Sequence, residues 1–159
     1  MSSHNDLKPE NILFDGDRVW LVDWEAAFLN DRYVDLAVVA NFVVNGEADE
    51  QAYLHRYFGE SAGEYRLARF FLMRQVAHLF YAMVFLSLAA AAGKAIDASL
   101  DAPDFKSFHR RILAGEMSLA DADAMLQYGL VHLKQIQQNL RTPRFPDALQ
   151  IVSNHRPQR

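Results

Sequence analysis

The sequence predicts a mainly α-helical domain that contains one small β-hairpin. Strand-forming residues flank an Asp-Gly turn once, between positions 11 and 22, and this is a hairpin signal. After position 31, apolar residues recur at helical spacing between glycine and proline breaks. A chain of 159 residues, 51% of them hydrophobic, is long enough for one domain with its own core. We therefore expect a single domain over residues 1–152 and a flexible polar tail over residues 153–159.

The hairpin is predicted from two short strands over residues 11–14 and 18–22, with the turn at residues 15–17. The first strand begins at Asn11, and the second leads directly into Asp23. Because pairing brings the start of one strand next to the end of the other, we expect Asn11 and Asp23 to lie side by side.

Five helices are predicted after the hairpin, over residues 33–44, 48–58, 61–92, 105–114 and 118–140. Ser118 and Asp121 have the spacing of a capping box, so we expect the last helix to begin at Ser118. Pro143 and Pro146 are expected to end it, because proline does not continue a helix.

The third predicted helix contains the most apolar run of the chain. Residues 76–92 are interrupted by one histidine and one serine, yet the run is shorter than the ~20 residues that a membrane-spanning helix needs. Arg69 and Arg74 precede the run, and Gly93 follows it. We therefore favour a buried core helix over a membrane-spanning one, and we expect no membrane insertion.

Composition and charge narrow the classes of function. The chain has no cysteine, which excludes disulfides, thiol nucleophiles and cysteine metal sites, and which fits a reducing compartment such as the cytoplasm. The first residues show no secretory leader, which also favours a cytoplasmic location. A net charge of -4 argues against nucleic acid as a partner and is compatible with a cationic substrate.

Residues 4–11 carry the strongest chemical signal, because they place a histidine, an aspartate and an asparagine in the order H-x-D-x-x-x-x-N. Phosphoryl transfer to a hydroxyl needs a carboxylate that accepts the proton and oxygen ligands for Mg²⁺. Asp6 and Asn11 have the groups for these two tasks, and Asp23 adds a second carboxylate at the end of the predicted hairpin. The sequence therefore indicates kinase chemistry.

Three segments together resemble one known superfamily. Residues 4–14 and 21–25 resemble the catalytic and metal-binding motifs of the aminoglycoside phosphotransferase and choline kinase superfamily. Residues 30–37 are similar to the N-D-x-x-x-D-L-A string of bacterial choline/ethanolamine kinase-like members. The resemblance implies the C-terminal lobe of a protein kinase-like fold. It also implies a transferase that uses ATP and Mg²⁺ to phosphorylate a small-molecule hydroxyl.

The resemblance further implies roles for individual residues. Asp6 corresponds to the catalytic base, and Asn11 and Asp23 correspond to the metal ligands. His4 resembles the histidine that braces the catalytic loop of kinases. Asp35 is either a second brace of that loop or a plain helix N-cap. Lys8 is either a phosphate contact or a solvated lysine.

The expected acceptor is an amino alcohol such as choline or ethanolamine, with an aminoglycoside as the alternative. A cationic amine favours carboxylates and aromatic faces, and Glu25 follows the metal motif directly. The aromatic residues of the third predicted helix fit a hydrophobic core better than a substrate cage. Glu25 is therefore the predicted substrate-binding residue.

Two further hypotheses stay open at this stage. A Ser/Thr protein kinase lobe matches residues 7–13, although residues 23–25 read Asp-Trp-Glu where protein kinases have Asp-Phe-Gly. The other hypothesis is a non-catalytic helical binding module that has kept the loop.

The position of the motif carries an expectation of its own. Kinases of this type hold ATP with a glycine-rich loop and a strand lysine that precede the catalytic loop, whereas three residues precede His4 here. We therefore expect a catalytic lobe without its N-terminal ATP lobe, inactive as an isolated chain. The uncovered face would promote self-association through Ile12, Leu13, Val19 and Leu21.

Overall fold

The structure, a computed structural model, describes residues 1–97, 99 and 101–155. Its strands are β1 (Ser2–Ser3), β2 (Ile12–Phe14), β3 (Val19–Leu21) and β4 (Phe28–Leu29). Its helices are α1 (Arg32–Val43), α2 (Glu47–Phe58), α3 (Glu64–Ala91), α4 (Phe105–Leu113), α5 (Ala122–Leu140) and α6 (Arg144–Asn154). The predicted fold class, mainly α with one small β-hairpin, is confirmed. The chain forms two compact units, one of Met1–Arg74 with the segment from Pro146 onward, and one of Gln75–Phe145.

The predicted hairpin is present as the antiparallel pair β2 and β3, in which Ile12 pairs with Leu21. Its turn is held by the Asp15 carboxylate, which accepts hydrogen bonds from the Trp20 indole nitrogen at 2.7 Å and from two following backbone amides. These bonds, that of Trp20 first, lower the pKa of Asp15 to about 2. Gly16 supplies the positive φ of +101° that the turn requires.

A second sheet, which the sequence did not predict, pairs β1 with β4. Ser3 lies opposite Phe28 in antiparallel register, and Ser2 lies opposite Leu29. Each strand has two residues, which is too short for an alternating pattern to be recognised. The pairing holds the start of the loop over residues 4–11 beside the segment that leads into α1.

The first unit packs α1, α2 and the start of α3 around an apolar core. Its fully or nearly buried members are Tyr33, Leu36, Ala40, Val44, Leu54, Ala62 and Phe70. Asp31 caps α1 by accepting a hydrogen bond from the Tyr33 backbone nitrogen. An ion pair joins Glu50, 2% exposed, to Arg74, whose Nε also donates to Asn41. The unit therefore gives the N-terminal loops a rigid base.

Helix α3 is expected from its sequence to be a buried core helix, but much of its apolar surface is exposed. The 18-residue window that is apolar enough to cross a membrane is 33% buried, and by length and composition α3 could span one. Phe70, Phe71 and Tyr81 are buried, whereas Phe80 is 57% exposed and Met83 is 62% exposed. One side of the helix thus belongs to the core, and the absence of membrane insertion stays a prediction.

Two predicted boundaries near the C-terminus are wrong. Helix α5 begins at Ala122 and is capped by Asp121, whose carboxylate accepts from the Asp123 backbone nitrogen at 2.7 Å. The Ser118 hydroxyl accepts from the Ala120 backbone nitrogen, so it closes a local turn before the helix instead of capping the helix. Both residue types compete for caps, and spacing alone does not decide which one is used.

Helix α6 lies where the sequence predicted the end of helical structure. Pro146 occupies its first turn, where the backbone nitrogen has no partner within the helix, so proline is tolerated there. The helix continues through Ser153 and Asn154, which the sequence analysis assigned to a flexible tail. His155 follows the helix, and residues 156–159 of the predicted tail lie outside the described residues.

Candidate active site

The loop over residues 4–11 folds back on itself around Asp6. A 3₁₀ turn over Pro9–Asn11 ends the loop, and the Asn11 backbone nitrogen donates to the Lys8 carbonyl oxygen at 3.0 Å. The Lys8 Nζ donates to the Asp6 carboxylate at 2.7 Å. The Asn11 Nδ2 donates to the Asp6 carbonyl oxygen at 2.9 Å and to its carboxylate at 3.3 Å. The turn therefore brings Asn11 into direct contact with Asp6.

The orientation of the Asn11 amide follows from these contacts. Both partners of its Nδ2 are acceptors, so the nitrogen must be the atom that faces Asp6. The amide oxygen, which lies on the other side of the group, makes no hydrogen bond among those that the structure gives for the described residues. Asn11 is buried, so this orientation is fixed and its oxygen is available to a metal ion.

Asp23 stands next to Asn11 because of the hairpin. The Val22 backbone nitrogen donates to the Asn11 carbonyl oxygen at 3.1 Å, one step beyond the last pair of the ladder. Asp23 follows in the left-handed conformation, with φ of +65°, and a 3₁₀ turn over Trp24–Ala26 begins after it. The hairpin thus brings the residue before Asp23 opposite Asn11, and the Asp23 side chain is exposed. Direct contact of the Asn11 and Asp23 side chains stays a prediction.

His4 contacts the backbone directly before Asp23. Its ring is 2% exposed, and its Nε2 lies 2.8 Å from the Val22 carbonyl oxygen, to which it must donate. The ring also lies against Trp24, with 4.7 Å between ring centroids. These are the contacts that a brace of the catalytic loop requires, and the role of His4 in catalysis stays a prediction.

Asp35 makes contacts that decide between its two predicted roles in the fold. Its carboxylate accepts from the His4 backbone nitrogen at 2.8 Å and from the Asn5 backbone nitrogen at 2.7 Å. The N-cap of α1 is Asp31, so the alternative of Asp35 as a plain helix cap is wrong. Asp35 ties the first turn of α1 to the two residues that precede Asp6.

The donor atoms at this site suit a hard cation. No cluster of three or more histidine, cysteine or carboxylate side chains that could hold a metal occurs in the part of the chain that the structure describes. An amide oxygen from Asn11 and a carboxylate from Asp23 are instead a small set of oxygen ligands. Mg²⁺ is typically bound by one or two carboxylates together with phosphate oxygens, so these residues fit Mg²⁺ and a nucleotide better than a resident metal.

Glu25 differs from three other carboxylates of the first unit, which have partners within the protein. Asp31 pairs with Arg69, Asp49 accepts from the Asn45 backbone nitrogen, and Glu50 is buried against Arg74. Glu25 is exposed beside Asp23, and the structure gives it no hydrogen bond or ion pair within the described residues. By elimination it is the carboxylate of this set that can contact a ligand.

Sequence reasoning missed one residue of the loop. Asn5 lies between His4 and Asp6 with φ of +65°, and its side chain makes three hydrogen bonds. A local signal existed, because asparagine is one of the few residue types that adopt the left-handed conformation at low cost. Two of its three partners, Ala26 and Asn30, are distant in sequence, so those hydrogen bonds could not be foreseen.

Comparisons with known proteins agree with the site. The family model for the phosphotransferase enzyme family matches residues 3–71. Two proteins named LicA, one from Haemophilus influenzae strain KW20 / Rd and one from Haemophilus influenzae, are each 50% identical over 36 residues. That stretch is 23% of this chain and 14% and 11% of the two proteins. The chain therefore matches only a small part of the length of these curated relatives.

A solved structure shares the fold. The crystal structure of a choline/ethanolamine kinase family protein from Mesorhizobium loti matches with a TM-score of 0.67 and 22% sequence identity. The match covers 95% of this chain and 42% of that one. This match shows a shared fold, and the family match over residues 3–71 agrees with the resemblance to aminoglycoside phosphotransferases and choline kinases that the motifs indicated.

Proposed function

We propose that this chain carries the catalytic and metal-binding residues of a phosphotransferase that transfers the γ-phosphoryl group of ATP to a small-molecule hydroxyl. The observation that carries the proposal is the contact of Asp6 with Asn11, together with the hairpin that places Asp23 beside Asn11. A general base and two oxygen ligands are thereby gathered on two adjacent loops. The match of residues 3–71 to the phosphotransferase enzyme family supports the proposal.

Each residue has a separate task in this mechanism. Asp6 accepts the proton of the acceptor hydroxyl as that oxygen attacks phosphorus, and it returns the proton to solvent after transfer. Asn11 and Asp23 hold Mg²⁺, which when bound neutralises charge on the phosphate oxygens. His4 and Asp35 fix the loop backbone, so that the Asp6 carboxylate does not have to reorganise during the reaction.

Lys8 is assigned to the transferred phosphate. Its Nζ donates to the Asp6 carboxylate at 2.7 Å. A phosphate group that enters beside Asp6 would offer the same ammonium a second anionic partner. The ion pair with Asp6 keeps Lys8 at the site until then, which favours the phosphate-contact hypothesis over that of a solvated lysine.

The acceptor we propose is an amino alcohol of the choline or ethanolamine type. Glu25 supports this choice, because it is the exposed carboxylate next to the metal residue Asp23 and a cationic amine needs a counter-charge. An aminoglycoside, which is also cationic, is the second candidate for the same carboxylate. Competition between choline and an aminoglycoside for phosphorylation distinguishes them.

The proposal is tested by Mg²⁺-dependent binding of ATP, followed by transfer to choline, ethanolamine and an aminoglycoside. Asp23→Asn should weaken Mg²⁺-dependent ATP binding, and Asp6→Asn should leave that binding intact. In a longer protein that also carries an ATP lobe, Asp6→Asn should lower transfer about 10²–10⁴-fold. Asp17→Asn, at an exposed turn position, is the matched control. Unchanged ATP binding in Asp23→Asn would contradict the assignment, and turnover by these 159 residues alone would contradict the expected inactivity of the isolated chain.

Apolar side chains around the hairpin are the basis of a further proposal, self-association of the chain. Leu13, Val19 and Leu21 are all exposed, and Ile12 is partly buried. Val19 and Leu21 share one face of the hairpin with Ile12, whereas Leu13 lies on the other face. Exposed apolar surface of this kind promotes association in water. Light scattering over a range of concentrations tests it, and a monomer at the highest concentration would exclude it.

A further inference from the structure

Asn5, the residue directly before Asp6, links three segments of the first unit through its side chain. Its Nδ2 donates to the carbonyl oxygens of Ser3 at 3.1 Å and Ala26 at 3.0 Å. Its Oδ1 accepts from the Nδ2 of Asn30 at 2.7 Å. Three of the four hydrogen bonds that an asparagine side chain can form are therefore made.

The partners of Asn5 connect the proposed base to the proposed metal residue. Ala26 ends the 3₁₀ turn that begins directly after Asp23, and Ser3 belongs to β1 at the start of the catalytic loop. The Asn5 amide bridges these two segments through one rigid planar group. A displacement of the turn over Trp24–Ala26 would therefore be transmitted to Asn5, the residue adjacent to Asp6.

Asn30 anchors this bridge to the helices. Its Oδ1 accepts from the Asp31 backbone nitrogen at 2.8 Å, and Asp31 caps α1. The Asp31 carboxylate also forms an ion pair with Arg69 of α3. Burial by itself lowers the pKa of Arg69, but the Asp31 partner outweighs it and raises that pKa, so the guanidinium stays charged.

We propose that Asn5 and Asn30 form a positioning pair that sets the location of Asp6 relative to Asp23. This inference rests on the proposed function, because it concerns the alignment of the base with the metal site. Asparagine meets both demands of the position. It tolerates the left-handed φ of +65°, and it presents donors and an acceptor on one short side chain.

Other residues satisfy only one of the two demands. Glycine at position 5 allows the backbone conformation and removes the bridge. Aspartate keeps the acceptor for Asn30 but would place a carboxylate against the carbonyl oxygens of Ser3 and Ala26. Asn5→Gly therefore separates the contribution of the side chain from that of the backbone.

The test uses the 159-residue chain with ATP, and with Mn²⁺ as a paramagnetic substitute for Mg²⁺, followed by backbone amide NMR. In the wild type we expect the amides of Leu7 and Trp24 to broaden together during one titration. In Asn5→Gly the broadening at Trp24 should persist, while that at Leu7 relative to Trp24 should fall, because the segment that carries Leu7 is no longer tied to the turn after Asp23. Asn30→Ala should give a smaller change in the same direction, and Asn45→Ala is the matched control.

Each outcome of this experiment has one meaning. A wild-type ratio in both Asn5→Gly and Asn30→Ala would overturn the positioning pair and leave the metal site standing. No broadening at either amide in the wild type would overturn the proposed metal site, and with it the proposed function. If Asn5→Gly does not fold, as judged by its amide spectrum, Asn30→Ala decides the question alone, because it keeps the Asn5 backbone and both of its donors.

Where the proposed transfer activity is measurable, the split between kcat and KM gives a second readout. A misplaced base slows transfer without weakening binding of the acceptor. Asn5→Gly should therefore lower kcat by about 10- to 100-fold with an unchanged KM, the size of effect expected for a displacement of about 1 Å. A rise in KM at constant kcat would contradict a positioning role and indicate a substrate contact instead.

Discussion

Replacing Asp35 by asparagine exchanges one carboxylate oxygen at the catalytic loop for an amide nitrogen and keeps the side chain the same size. The wild-type carboxylate accepts from the His4 amide at 2.8 Å and from the Asn5 amide at 2.7 Å. An asparagine can accept one of these bonds through its oxygen, but its nitrogen then faces the second backbone N–H, which is also a donor. The substitution thus removes one charge-assisted bond and leaves a part-buried donor unsatisfied.

The magnitude follows from these two losses. A hydrogen bond to a charged group contributes about 1.5–3 kcal/mol, and an unsatisfied buried donor costs about 1–3 kcal/mol. The site is only part-buried, so water recovers some of the loss, and we expect Asp35→Asn to lower the free energy of unfolding by about 2–3 kcal/mol. For a chain of this length that corresponds to a fall in melting temperature on the order of 4–12 °C.

Urea unfolding followed by tryptophan fluorescence measures this change where it occurs. Both tryptophans, Trp20 and Trp24, lie in the same unit as Asp35, so their emission reports that unit. Asp17→Asn makes the same chemical change at an exposed turn and should alter stability by less than about 0.5 kcal/mol. If Asp35→Asn is as stable as Asp17→Asn, the carboxylate does not hold the catalytic loop, and the brace hypothesis fails.

Three further predictions concern stability. A Cβ at Gly129 would lie 2.7 Å from the Leu86 Cγ and 3.0 Å from its backbone nitrogen, so Gly129→Ala should destabilise by about 1–2 kcal/mol, although helix propensity alone favours alanine by about 1 kcal/mol. Burial first, and then the neighbouring histidines such as His78, lower the pKa of His132, so this residue binds a proton more readily in the unfolded chain. Its contribution to the free energy of unfolding should be fully present above about pH 6.5 and should fall below that pH by about 1.4 kcal/mol per pH unit. Gly59 ends α2 with φ of +76°, so Gly59→Ala should cost about 1 kcal/mol in thermal unfolding, and no loss would show that the turn relaxes.

The candidate site was largely predictable because its signals are consecutive. Residues 4–11 and the hairpin carry their chemistry and their turn within about twenty positions, and a hairpin fixes which residues lie side by side. Asn11 and Asp23 could therefore be placed next to each other before the fold was known. The side-chain contacts of Asp6 with Asn11 also join residues of one short loop.

What could not be predicted depends on partners that are distant in sequence or on competing local signals. The pairing of β1 with β4 involves two residues a side, and the link from Asn5 to Ala26 and Asn30 crosses more than twenty positions. The choice of Asp121 over Ser118 as a cap is a competition between two suitable residues. Periodicity also gave the extent of α3 but not which of its apolar residues stay exposed.

The backbone conformation is unusual at both of these loops. Among the described residues, Asn5 and Asp23 are the two that adopt a positive φ without being glycine, and each has φ of +65°. Asparagine and aspartate tolerate this conformation better than most residues, and it persists where surrounding contacts fix it. Around Asn5 those contacts are the Asp35 carboxylate, the Asn30 amide and the carbonyl oxygen of Ala26. The two residues precede the proposed base and form the proposed metal ligand. In the proposed mechanism the contacts of Asn5 therefore position Asp6, and a substitution that relaxes this backbone should disturb alignment before it disturbs folding.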